Sequence, residues 1–325
     1  TDPRCFGWLW EMEDEIRPLI PLVYYHVWDN LPYPDFNKIW YDSCDHIACI
    51  SKVTYDIVKT VAPNTDSCYL PHAVNSEVFK PLKEEEINSL KEKSNLNDNK
   101  FTVFWNNRNA RRKQSGSLIF WFAKFLDKVG KDNARLIMHT DPRDPNGPDL
   151  IAQVKNLGLS SGEVQFSTEK VELSQLAAMY NLSDVTVNIS DAEGFGLATL
   201  ESLSCATPII VNMTGGLQEQ VTDGENWFGV GIEPASRAVI GSQDIPYIYE
   251  DRINEDDFVN ALEKLYNMSK EERQKLGQLG REHVLKNYNF KTFQISWKVL
   301  VKDIMKKFGS WENRQDYKSW ELTKI

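Results

Sequence analysis

No stretch of this 325-residue chain approaches the roughly 20 consecutive apolar residues that a membrane-spanning helix needs. Nor does it open on a charged, then apolar, signal segment. The expectation is therefore a soluble, cytoplasmic protein. Basic charge is also in short supply, with 37 Lys and Arg against 47 Asp and Glu, a formal net charge of −10, and no long basic run. That balance argues against nucleic acid or an anionic membrane surface as the main partner, so any anion must be held by a local cluster of cations. The five cysteines (Cys5, Cys44, Cys49, Cys68 and Cys205) are odd in number and lack metal-ligand spacing, and they read as reduced core residues. There is no Gly-x-Ser-x-Gly elbow, no His-Glu-x-x-His, no Walker A loop and no Gly-x-Gly-x-x-Gly opening a helix. Hydrolase, zinc-protease and dehydrogenase chemistry lose their warrant. The pairs Asp42/Asp45 and Asp141/Asp144 fall at a helix-strand junction and in a Pro-rich turn, so no essential metal or other cofactor is expected.

What is present is alternation. β-branched and apolar runs at 22–26, 46–50, 67–70, 101–105, 134–138, 163–166, 184–189 and 208–212 read as strands, with helical patterns between most of them. Repeated strand-helix order predicts an α/β protein with parallel, doubly wound sheets. The polar Lys/Glu/Asn stretch from about Lys83 to Lys100 reads as a linker region. From Glu255 the pattern turns helical, with a capped start at Ser269 and a last amphipathic helix from about Lys291.

Unusual residues gather after the strands. Asn106 to Lys113, His139 to Pro142, Asp191 to Gly196 and Met213 to Gly216 all follow predicted carboxyl ends, the edge on which an open α/β sheet binds ligands. Glu193 and Glu201 bracket the turn Gly194-Phe195-Gly196, which leads through Leu197 into a helix. Glycines there let backbone N–H groups approach a ligand closely, and the helix dipole favours anions or hydroxyl oxygens. Glu201, inside the helix, is suited to accept both O–H donors of a ribose diol, and Glu193 to accept sugar hydroxyls. Arg108 and Lys113 belong to a loop with four cations among six residues, a fitting cradle for a diphosphate.

The Glu-x7-Glu pair, its Gly-Phe-Gly turn, the strand Ala206-Thr207-Pro208-Ile209-Ile210-Val211 and the turn Thr214-Gly215-Gly216 resemble the retaining glycosyltransferases of the GT-B fold, family 4. The resemblance implies two Rossmann-like domains facing across a cleft, with a nucleoside diphosphate sugar as donor and a sugar, lipid or protein hydroxyl as acceptor. It implies that Glu201 holds ribose, that Glu193 and the 194–196 amides hold the sugar, and that Gly215 and Gly216 form the adjoining turn. Arg108 and Lys113 would meet the diphosphate and offset charge developing on the leaving group. His26, at a strand end, resembles the histidine that such enzymes set beside the donor sugar. His72 matches the segment joining the two domains.

On this reading residues 1–84 are part of an acceptor-side domain, 85–290 the nucleotide-sugar domain, and 291–325 a helix returning to the first. The family's first strand and Gly-rich acceptor loop would then precede Thr1. The loop 241–251 departs from the family pattern and carries no readable role. A nucleotide-sugar epimerase and a non-catalytic nucleotide-sugar-binding protein stand as alternatives, and peripheral membrane contact is compatible with the sequence.

Overall fold

The computed structural model describes residues 2–317. The chain forms two compact units, one of Thr1–Ala73, Val239–Tyr249 and Phe290–Ile325, the other of Val74–Ala238 and Glu250–Asn289.

The first unit opens with two short helices, α1 (Gly7–Glu11) and α2 (Glu13–Ile16), for which no sequence pattern was read. Strand β1 (Val23–His26), helix α3 (Lys38–Asp42), strand β2 (His46–Cys49), helix α4 (Lys52–Val61) and strand β3 (Ser67–Tyr69) follow. The three strands form a parallel sheet in the order β1-β2-β3. All of β2 is buried, as expected for a central parallel strand. Asp45, just before β2, accepts hydrogen bonds from the backbone N–H of Leu22 and the guanidinium of Arg314 at 2.8 and 2.6 Å. That carboxylate ties the residues after the last helix to the sheet.

The second unit holds α5 (Glu84–Lys93), β4 (Phe101–Asn106), α6 (Ser115–Val129), β5 (Ala134–His139), α7 (Leu150–Asn156), β6 (Val164–Ser167) and α8 (Leu173–Asn181). It continues with β7 (Val185–Asn188), α9 (Leu197–Ser204), β8 (Ile209–Asn212), α10 (Gln218–Val221) and β9 (Gly229–Ile232). Helix α5 corrects the linker reading of 83–100. Its polar composition suits a surface helix, with Glu84, Glu85 and Glu86 in the first turn and Lys91 and Lys93 in the last, charges that complement the helix dipole. The core is legible residue by residue. Leu118, Ile119, Phe122, Phe125 and Leu126 of α6 fall on one helical face and are fully buried against Val103, Trp105 and Leu136. Each such side chain is worth about 1.5–3 kcal/mol of burial.

The six strands of this unit are parallel and run in the order β6-β5-β4-β7-β8-β9. From β4 the chain winds outward through β5 and β6, then returns to β7 on the other flank of β4 and winds the opposite way. The order therefore reverses between β4 and β7, the place where an open α/β sheet leaves a crevice at its carboxyl edge.

After β9 come the paired strands β10 (Ser236–Ile240) and β11 (Ile248–Arg252), then α11 (Glu255–Tyr266), α12 (Lys270–Asn287) and α13 (Phe290–Phe308). The β10-β11 hairpin includes most of the loop that had no sequence reading. Its tip counts with the first unit, where Ile248 packs in the core with Trp28 and Tyr41 and the backbone N–H of Tyr249 donates to Leu31 O at 2.8 Å.

Candidate functional site

Two loops meet at the reversal. After β4 the chain makes a short 3-10 turn, Arg111–Lys113, and then Gln114 takes the left-handed conformation with φ 56° before α6 begins. After β7 it runs through Asp191, Ala192 and Glu193 into the glycine turn. Backbone and side chain join the two loops: the N–H of Asp191 donates to Arg112 O at 2.8 Å, the Gln114 amide donates to Asp191 Oδ2 at 2.6 Å, and the Arg112 guanidinium donates to Ala192 O. At the centre lies an ion pair between Lys113 Nζ and Glu193 Oε2, both side chains largely buried. Asn188 at the end of β7 adds a longer contact of 3.4 Å to the same oxygen. Burial pushes the Asp191 carboxyl up to about 6, against the pull of Gln114 and Arg252.

The glycines of the turn meet hard geometric demands. Gly196 has φ 89° and caps α9, and a Cβ there would stand 2.5 Å from Leu217 Cδ2. Gly216 donates its N–H to Glu193 O at 2.9 Å, and a Cβ on it would stand 2.7 Å from the Phe195 Cα. Gly216 thus supports Glu193 through the backbone. Phe195 is buried and meets Tyr288 edge-on with ring centroids 5.9 Å apart, so its ring belongs to the core and only its backbone borders the turn. Leu197 is exposed.

Glu201, one helical turn into α9, has different company. Its Oε2 accepts from the Tyr180 hydroxyl at 2.7 Å, and the Tyr180 oxygen in turn accepts from Asn106 Nδ2 at 2.9 Å. Burial pushes Glu201 up to about 7, and the Tyr180 hydrogen bond pulls the other way.

The structure separates the remaining candidates. Arg108 is exposed and donates to Asp144 at 2.6 and 3.2 Å, on the far side of its loop from Lys113. That guanidinium holds the Asp144 carboxyl well below the usual range. Arg111 makes a two-pronged pair with buried Glu250 at 2.7 and 2.8 Å. His26 lies in the first unit. Tyr24 and His26 alternate onto the buried side of β1, and His26 is fully enclosed with Nε2 2.7 Å from the Tyr41 hydroxyl. Its ring is packed against Tyr24 and Tyr41. His72 likewise packs on aromatic rings, those of Tyr25 and Phe293.

Asn106, Tyr180, Gln114 and Asp191 had no assigned roles in the sequence reading. Asn106 and Asp191 could have been found, since both are polar residues closing a buried strand or directly following one. Tyr180 gave no signal, because an aromatic in a helix reads as core.

The parallel sheet with its reversal, the paired loops and the glycine turn define a Rossmann-like α/β domain of the GT-B type. Residues 86–283 match the model of the glycosyl transferases group 1, which is more than half of the chain, and the chain belongs to that family. Among curated relatives it is 24% identical over 192 residues to alpha-monoglucosyldiacylglycerol synthase of Acholeplasma laidlawii, covering 58% of this chain and 47% of that protein. A shorter match, 42% over 66 residues, is to D-inositol 3-phosphate glycosyltransferase of Thermomonospora curvata, covering 20% of this chain and 15% of that protein. In the longer matches the chain spans about half the length of the relatives. Among solved structures, sucrose-phosphate synthase from Thermosynechococcus elongatus superposes with a TM-score of 0.67 at 21% identity, covering 83% of this chain and 61% of that one. Anabaena HepE in complex with UDP and glucose gives 0.67 at 15% identity, covering 87% and 71%. These likenesses show the GT-B fold. Among the described residues no helix is long and apolar enough to cross a membrane.

Proposed function

We propose that this chain transfers a hexose from a nucleoside diphosphate sugar to a hydroxyl acceptor, with retention of anomeric configuration, in the cytoplasm. The observation that carries the reading is the Lys113–Glu193 pair at the strand reversal, with Glu201 in the helix beyond it. In this reading Lys113 meets the diphosphate and offsets the charge that grows as the nucleotide leaves. Arg108, on the outer side of the same loop, adds an exposed cation for the phosphates. Glu193 and the backbone of Gly194, Phe195 and Gly196 hold sugar hydroxyls, and Glu201 accepts the ribose diol. The departing phosphate takes the acceptor proton on the face it leaves, which accounts for retention without an enzyme nucleophile. With the leaving charge met by side chains, transfer is proposed to need no metal. UDP and UDP-glucose, bound in the HepE structures, support this class of donor. The relatives' names point to different acceptors, including diacylglycerol lipids and malate, so the acceptor stays open within the hydroxyl class.

The test is to incubate the protein with UDP-glucose and other nucleotide sugars, with and without diacylglycerol vesicles, inositol phosphate or malate, in the presence of EDTA. Acceptor-dependent release of nucleotide with a product of the donor's anomeric configuration is expected. Conversion of the donor's sugar without any acceptor would mark an epimerase. Tight nucleotide binding without turnover on any acceptor would mark a binding protein.

A further inference from the structure

We propose that Tyr180 is the positioning residue of the ribose subsite: its hydroxyl, oriented by Asn106, fixes the Glu201 carboxylate so that the second oxygen faces the diol. The inference rests on the reading of Glu201 given above.

The relay has one direction. The Asn106 amide nitrogen can only donate, so at 2.9 Å it compels the phenol oxygen to accept, and the phenol proton is left for Glu201 Oε2 at 2.7 Å. The donor's place is fixed as well. Tyr180 is fully buried, with Phe104 edge-on at 5.1 Å and Phe79 at 6.1 Å. A glutamate side chain has three rotatable bonds, and ordering it for one ligand geometry costs entropy. A hydroxyl held by a rigid ring sets that geometry in advance, the means by which supporting residues sharpen a binding group. The three residues come from the end of β4, from α8 and from α9, so the relay spans both flanks of the strand reversal.

The same bond biases the charge of Glu201. Helices α8 and α12 and strands β7 and β8 pack against α9. Around the carboxylate, Tyr180 and Cys205 are both held far above their ordinary values, by burial first and then by the charge of Glu201 itself, and so are neutral. On α12, Arg281 is committed to the carbonyls of Ser204 and Phe79, and His283 to Glu219 O. Strands β7 and β8 bring no ionisable side chain. Burial raises Glu201 and the Tyr180 hydroxyl opposes it, so removing the hydroxyl protonates more of the carboxylate near neutral pH.

The experiment is calorimetric titration of UDP and ADP, and of their 2′,3′-dideoxy counterparts, between pH 6 and 9, on the unaltered protein and on Tyr180→Phe. Phenylalanine keeps the ring contacts. For whichever ribonucleotide binds, Tyr180→Phe is expected to weaken affinity about tenfold at pH 7, the range of one hydrogen bond to a charged group. The deficit should shrink towards pH 9, and the dideoxy counterpart should bind both proteins alike. Asn106→Ala, which keeps the phenol but frees its proton, should shift affinity the same way by a smaller factor. Equal weakening of ribo and dideoxy nucleotides, or a loss independent of pH, would mean that Tyr180 only packs. An unaltered protein that binds nucleotide yet ignores the missing diol would overturn Glu201 as the ribose ligand and this inference with it, and one that binds neither nucleotide would overturn the donor reading itself.

Discussion

The two glutamates of one motif, eight positions apart, are set in opposite ways. Glu193, before the glycine turn, is paired with a cation carried on a different loop, whereas Glu201, inside the helix, is largely buried against a phenol that an amide in turn holds. A carboxylate paired with a lysine is committed to that one cation. One buried against a neutral donor keeps its lone pairs selective for hydroxyls and becomes sensitive to pH. The contrast suits the proposed division of labour, in which the Lys113–Glu193 pair lies where the sugar joins the charged diphosphate and Glu201 meets only ribose hydroxyls.

The strongest way to break the contrast is at Lys113. Lys113→Met is expected to lower transfer by about 10²–10³-fold, the range for loss of one group that stabilises charge at the transition state. It should also destabilise the fold by about 3–5 kcal/mol, because Glu193 is left buried and unpaired. Adding Glu193→Gln should restore most of the stability in denaturant titration and none of the transfer. Recovery of transfer in the double variant would make the pair structural and remove Lys113 from the chemistry.

The Thr214-Gly215-Gly216 turn, which backs the loop that carries Glu193, should be next in effect. Gly216→Ala places a Cβ against backbone atoms of Phe195 and Gly194, which have little room to give, and it disturbs the N–H that supports Glu193. A cost of about 1–3 kcal/mol is expected, as for overpacking in a close-packed region. Thermal unfolding measures it, and an unchanged midpoint would show that the turn yields.

These two glycines also show how far the sequence could be read. Gly196 and Gly216 announced a turn because few other residues fit there, and the strands around them announced a parallel sheet because β-branched runs recur between helical patterns. Glu193 and Lys113 were singled out for a related reason: charged residues in loops at the carboxyl edge of buried strands have few structural uses. For His26, which face of the strand its ring takes is a matter of register, and β1 turns that ring inward. Tyr180 was invisible, since its hydroxyl gains meaning only when α8 is laid beside α9. The hairpin β10-β11 was missed because its tip packs on residues some 200 positions earlier, and local pattern does not reveal such pairing.

Glu201 offers a test of the second environment by pH alone. Its folded value of about 7 lies above the ordinary 4.5, so the folded state holds the proton more tightly than the unfolded chain. The stability this contributes is present below about pH 4.5 and is lost as pH rises through 7. Glu201→Gln removes the dependence. The variant should melt with the parent near pH 4.5 and a few degrees above it at pH 8, while its nucleotide affinity at pH 8 is the lower of the two. A melting difference that does not change with pH would show that burial of Glu201 is not what sets its titration.

The smallest expected effects separate two arginines of one loop. Arg111 grips Glu250, which is 2% exposed, so Arg111→Ala leaves that buried carboxylate with its longer contact to Arg252 at 3.3 Å and should lower the melting midpoint although Arg111 itself is mostly exposed. It is therefore a poor neutral control for Lys113. Arg108 pairs with Asp144 at the surface, and pairs of that kind contribute little to stability. Arg108→Ala should leave the melting curve where it was and weaken nucleoside diphosphate binding a few-fold, with the difference fading in high salt as screening removes a long-range attraction. If Arg108→Ala instead shifts stability while binding is unmoved, the arginine serves the 141–146 turn through Asp144, and Lys113 alone remains the loop's cation for phosphate.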